Sequence, residues 1–220
     1  MKGLLVRLSS IGDVIHTLPA LAVLRLHGHE TGWVVEPASR PLLEGNPALG
    51  TLTTVPAARN FGLRAAHRAA AALKAERYDV ALDFQGLWKS AAWARFSGAP
   101  RTIGYAGPVR REPLSRLLLR ETLSEVPDAP HVIDKNLGLL RALGIEAVGS
   151  REFPLPRPAS AEGAVQAGLA SLALGDFVLV SPGGGWGSKL WPAERYGVLA
   201  AGLRERGLGS LVAWGPGEEA

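Results

Sequence analysis

The chain has 220 residues, 47% of them hydrophobic and 20% charged, with a formal net charge of +4 and no cysteine. That composition supports a sizeable core, and it removes disulfides, thiolate metal sites and cysteine nucleophiles at once. The length exceeds one ordinary domain and falls short of two full ones.

The N-terminus begins with Lys2 and apolar residues, and Ala20-Leu21-Ala22 imitates a cleavage site. Arg7 and Asp13 fall where a signal peptide needs an uncharged stretch, so that reading is rejected. No run approaches the roughly 18 apolar residues of a membrane span. The expectation is a cytoplasmic protein.

Leu4 to Leu8 is an apolar run broken only by Arg7, as in a buried strand, and Ser9 to Asp13 is rich in small turn-forming residues. Val14 to His27 has helical spacing. A strand, a turn and a helix open a βαβ unit, which places Asp13 where ligands bind in open α/β sheets, beyond the carboxyl end of the strand. Two roles fit Asp13 there: a helix cap, or a carboxylate that takes a proton.

His27-Gly28-His29 reads as a helix end rather than a metal pair, with Gly28 terminating the helix. Gly32–Glu36 and Thr51–Val55 are short strands, each closed by a proline. Phe61 to Arg77 is an alanine-rich surface helix. Tyr78–Asp83 is the next strand, Phe84-Gln85-Gly86 a turn, Leu87 to Phe96 a helix, and Arg101–Tyr105 a fifth strand. This alternation predicts a parallel, doubly wound sheet.

Ala106 to Pro130 is irregular, as in a long loop or a short helix pair. Basic residues concentrate between Lys89 and Arg120, which fits an anionic partner or a solvated arginine surface. No zinc-finger, RNP-type or basic-helix pattern points to nucleic acid. His131 to Leu143 returns to helical spacing.

Phe153-Pro-Leu-Pro-Arg-Pro158 is the candidate linker. The sequence therefore divides into an N-terminal domain (1–152), a linker (153–160) and a C-terminal stretch (161–220). That last stretch reads helix, strand (Asp176–Ser181), helix from about Pro192 to Gly207, and strand (Ser210–Trp214). Between them, Pro182-Gly-Gly-Gly-Trp-Gly-Ser-Lys189 fits neither a P-loop, because Ser188 separates Gly187 from Lys189, nor the dinucleotide fingerprint. Its glycines, the following helix N-terminus and Lys189 would suit a diphosphate.

Several stretches together resemble the bacterial lipopolysaccharide heptosyltransferases, glycosyltransferase family 9. They are Arg7 to Ala20, Leu82 to Ser90, Arg101–Tyr105, Arg111-Glu112, His131 to Leu137, Lys189-Leu-Trp-Pro192 and Trp214-Gly-Pro-Gly-Glu218, in order along the whole chain. The branch that adds the first heptose to the Kdo-lipid A core is the most similar. The resemblance implies a GT-B fold: a complete N-terminal Rossmann-like domain on the acceptor side, and here the truncated start of a second Rossmann-like domain on the nucleotide-sugar side. It implies inverting, metal-independent transfer with no cofactor, the donor substrate being ADP-heptose. The acceptor is Kdo-lipid A, at the inner face of the cytoplasmic membrane.

Asp13 would then be the general base. Ser188 and Lys189 would hold the diphosphate and Glu218 the nucleoside. Ser10, Lys89, Arg101 and Arg111 are the acceptor candidates, with structural ion pairs or a solvated face as the alternative for the cations. A full member continues through more of the second domain, so the expectation is a truncated enzyme. The alternative is an inactive acceptor-binding module that keeps the basic cleft but does not bind the sugar nucleotide.

Overall fold

The computed structural model describes residues 1–107, 110–124, 131–147, 149–172, 174–184 and 187–215, the side chains of Ala58 and Lys189 excepted. The chain divides into two compact units, Met1–Pro156 and Arg157–Ala220. The division falls inside the proline-rich stretch.

The first unit is built on six strands: β1 (Lys2–Val6), β2 (Glu30–Val35), β3 (Thr51–Thr54), β4 (Val80–Asp83), β5 (Arg101–Tyr105) and β6 (Glu121–Leu123). All are parallel, in the order β3-β2-β1-β4-β5-β6. Strand order reverses between β1 and β4, which opens a crevice beyond their carboxyl ends. Successive side chains of a strand point to opposite faces, so each central strand feeds two cores. Leu5, Leu82 and Ile103 enter one, and Leu4, Val6 and Ala81 the other.

The first face is covered by α1 (Ile11–Ile15), α2 (Leu18–Leu26) and α5 (Val132–Leu139), through Val14, Leu18, Leu21, Ile133 and Leu137. The second is covered by α3 (Leu63–Ala75) and α4 (Trp88–Phe96), through Ala69, Leu73, Trp93 and Ala94.

The structure corrects two expectations. Val14 to His27 is two helices rather than one, because Pro19 near the start of α2 has no N–H to continue the ladder. The break at His16-Thr17 is closed by Asn136, whose amide donates to the His16 carbonyl at 2.9 Å and to Thr17 Oγ1 at 3.1 Å. The irregular stretch after Ala106 contains a sixth strand, Glu121–Leu123, at the sheet edge. Three residues are too few to show alternation in sequence. His27-Gly28 does end a helix: Gly28 is left-handed (φ 73°) and His27 Nδ1 meets the Val23 carbonyl at 2.9 Å.

A buried ion pair organises the carboxyl edge. Asp83, the last residue of β4, and Arg110 are both fully buried, with Nη2 2.8 Å from Oδ2. The other Asp83 oxygen accepts the N–H groups of Gln85 and Gly86, each at 3.1 Å, and so shapes the turn after β4. Arg110 also donates to Ser115 Oγ and the Tyr105 carbonyl. Gly104 makes the room, since a Cβ there would lie 2.7 Å from Arg110 Nη1 and 2.6 Å from Leu119 Cδ1.

The second unit is α6 (Ala159–Ser171), β7 (Phe177–Val180), α7 (Ala193–Glu205) and β8 (Gly209–Val212), the strands pairing in parallel. Pro192 is the N-cap of α7, and left-handed Gly207 (φ 77°) follows its end.

Removing one member of a buried pair strands the other charge, at a cost of about 3–5 kcal/mol. Asp83→Ala should lower unfolding free energy by that amount in urea titration. A loss below about 1 kcal/mol would show that the pair does not anchor this edge.

Candidate active site

A cavity of about 270 Å³ lies at the crevice of the first unit, lined by Arg7, Asp13, Phe84, Gln85, Tyr105, Arg111, Val132, Lys135 and Asn136. Four chain segments meet there: the turns after β1, β4 and β5, and the start of α5.

Asp13 is in the first turn of α1, and Ser10 is the N-cap. Its Oδ2 accepts the Ser10 N–H at 3.4 Å and the Ser10 hydroxyl at 3.3 Å, while Oδ1 lies 2.8 Å from Arg7 Nη2. Ser10, not Asp13, is thus the N-cap, and the Asp13 carboxylate closes the capping box from the first turn while facing the cavity. Burial pushes its pKa up. The Arg7 charge and the hydrogen bonds from Ser10 and Arg7 outweigh that, and hold the carboxyl below its ordinary value.

Arg7 itself is nearly buried, donates to the Phe84 carbonyl, and leaves Nε without a partner among the described residues. Gln85 accepts the Leu8 N–H at 2.8 Å, which ties the turn after β4 to the turn carrying Asp13. Burial raises the Tyr105 phenol, so it stays protonated and donates to Asn136 Oδ1 at 3.0 Å.

Arg111 follows buried Arg110 but is itself exposed and reaches the cavity. Neither the Arg111 nor the Lys135 side chain has a hydrogen bond or ion pair among the described residues. With Arg7 they give the cavity three cations to one carboxylate. Glu112, beside them, closes the N-terminus of α4: its carboxylate accepts the Trp88 N–H at 2.5 Å, and its own N–H reaches the Gly86 carbonyl at 3.2 Å.

The structure brings Ser10, Asp13 and Arg111 together and sets the other acceptor candidates apart. Lys89 on α4 is paired with Glu36 at 2.7 Å and lines a different, apolar groove. Arg101 opens β5, at the opposite edge of the sheet, where it makes a bidentate pair with Glu121 (2.8 and 2.7 Å) and donates to the Ala142 carbonyl. Arg101 thus makes the structural ion pair that was open to it in the sequence.

Ser188 is exposed in a short 3-10 turn, Gly187–Lys189, of the second unit. The Lys189 side chain and all of Glu218 lie outside the described part of the chain. Sequence reasoning missed Arg7, Gln85, Tyr105, Lys135 and Asn136. All but Asn136's partnership with the helix break had a signal, since each lies in a stretch already singled out as a motif.

In a doubly wound parallel sheet the crevice at the strand reversal is where ligands bind, and similarity to known proteins narrows the class. Residues 66–220 match the model of glycosyltransferase family 9 (heptosyltransferase). The lipopolysaccharide heptosyltransferase 1 of Pseudomonas aeruginosa is 32% identical over 232 residues, covering 100% of this chain and 62% of that protein. The chain thus spans less than two thirds of that relative's length.

Among solved structures, the Escherichia coli heptosyltransferase WaaC with ADP-2-deoxy-2-fluoro heptose superposes with a TM-score of 0.78 at 25% identity, covering 100% of this chain and 70% of that one. A Veillonella parvula glycosyl transferase of family 9 has the same fold, with a TM-score of 0.81 at 22% identity over 98% of this chain and 63% of that one. The chain belongs to glycosyltransferase family 9.

The Asp13 ion pair has a definite pH signature. A depressed folded-state pKa means that the pair stabilises the fold above the unfolded-state value near 3.9 and loses that contribution as pH falls through the folded-state value. In a carboxyl ¹³C NMR titration Asp13 should titrate below the ordinary range. Arg7→Gln should move its midpoint upward, since burial then acts with less opposition. A midpoint that does not move would show that Arg7 is not what holds the charge.

Proposed function

We propose that this protein acts in inverting, metal-independent transfer of heptose from ADP-heptose to the Kdo-lipid A inner core of lipopolysaccharide, at the inner face of the cytoplasmic membrane. The observation that carries the reading is Asp13: an ionised carboxylate on the cavity at the strand reversal, in a chain of the heptosyltransferase family. Asp13 takes the proton from the acceptor hydroxyl. The hydroxyl oxygen then attacks the anomeric carbon from the side opposite the departing ADP, which leaves with the bonding electron pair.

Arg111 and Lys135 meet the acceptor's carboxylate or phosphate, each as a cation on the cavity wall. Arg7 keeps the base charged and aimed, and Ser10 limits its rotation. In the second unit, Ser188 and Lys189 hold the diphosphate and offset the charge that grows on it, and Glu218 contacts the nucleoside. The general base contributes roughly 10²- to 10⁴-fold in rate.

In a transfer assay with ADP-heptose and Kdo-lipid A, Asp13→Asn should lose at least about 10²-fold in kcat with its circular dichroism unchanged. Calorimetric titration with ADP should show binding that Lys189→Ala weakens. Normal turnover by the Asp13 variant would remove the base. Absent ADP binding would leave a module that holds the acceptor alone.

A further inference from the structure

We propose that the first unit seats an acyl chain of an anionic phospholipid in the groove between α3 and α4, and by this face meets a membrane surface. The inference rests on the membrane placement proposed above and is independent of the role of Asp13.

The groove has a volume of about 720 Å³, and its walls include Pro56, Phe61, Leu63, Ala66, Trp93 and Phe96. Phe61, Leu63 and Phe96 are 57%, 81% and 55% exposed, so a contiguous apolar surface stands open rather than a single stray side chain. It opens past the ends of β2 and β3, through Glu36 and Pro56, at the same sheet edge as the Asp13 cavity.

Charge decides the kind of occupant. No Asp or Glu occurs between Glu44 and Glu76, nor between Asp83 and Glu112, and these two stretches supply almost the whole groove. Glu36, the acidic residue among the walls, is neutralised by Lys89 at 2.7 Å. Arg59, Arg64, Arg68 and Arg95 on the same two stretches are exposed, and none of their side chains has a hydrogen bond or ion pair among the described residues. Arg64, His67 and Arg68 flank Leu63 along one side.

An apolar floor beside exposed arginines matches an amphiphile with an alkyl chain and a phosphate head. The chain leaves water in the groove, the phosphate meets guanidinium groups, and Phe61, Leu63 and Phe96 sit at headgroup depth.

The test is co-sedimentation of the 220-residue chain with phosphatidylglycerol vesicles and with phosphatidylcholine vesicles, plus tryptophan quenching by phosphatidylglycerol brominated on its acyl chains. The chain should bind phosphatidylglycerol more tightly than phosphatidylcholine, and less so as salt is raised. Arg64→Ala with Arg68→Ala should weaken binding about 25-fold, at about fivefold for each charge near the surface. Bromine should quench emission in the unaltered chain and less in Trp93→Phe. Ala66→Phe, which fills the groove, should remove the difference. Leu63→Ser with Phe96→Ser, both at exposed positions, tests the same face without touching the core and should also weaken binding.

Vesicle binding unchanged by all four variants would overturn the groove while leaving membrane placement intact. No binding to either vesicle would overturn both. Self-association abolished by Ala66→Phe would assign the groove to a second copy instead and overturn the lipid. A chain that binds vesicles as described but fails in heptose transfer would sink the catalytic reading and leave this one standing.

Discussion

The carboxyl edge of the first unit depends on the Asp83–Arg110 pair, which has no exposure to water. Two charges taken out of water are tolerable only when every lone pair and N–H is used, and here nearly all are. One carboxylate oxygen takes Arg110 while the other takes two backbone N–H groups. Arg110 in turn reaches Ser115 and the Tyr105 carbonyl. A single interaction therefore sets the turn after β4 and the stretch after β5 in register with each other. Arg111 can face the cavity because its neighbour in sequence is fixed facing inward.

The site built on that edge contains a tension. A general base is strongest when its conjugate acid is weak, yet Arg7 and Ser10 draw Asp13 toward permanent ionisation. The arrangement favours availability over basicity: the carboxylate is charged at any pH near neutrality. As the base of the proposed transfer, such a carboxylate would be weak but always in the form that accepts a proton. The price is borne by Arg7, which is nearly buried and has one N–H without a partner among the described residues.

Much of this was legible in the sequence because its signals were local. Strand β5 is read at its true limits from Arg101–Tyr105, and the apolar run at Leu4 locates the central strand. What was not legible required distant partners. The helix break at His16-Thr17 is stabilised by Asn136, 120 residues away from His16, and no local pattern announces it. Arg101 and Lys89 looked alike as basic residues in a basic stretch, but β5 places one at the far edge of the sheet and α4 places the other against Glu36. Charge is visible in sequence; the edge of the sheet on which it falls depends on strand direction and register.

The Asn136 contacts also have a dynamic side. One amide group holds the carbonyl of His16 and the hydroxyl of Thr17, while its oxygen takes the Tyr105 phenol. If α5 lifted away, all three groups would lose that partner together. Local opening of α5 is therefore coupled to opening of the Asp13 turn, and the two should exchange their amide hydrogens as one cooperative unit. The turn that carries Asp13 is thus held from the far end of the unit's sequence, by a residue on the last long helix before the linker.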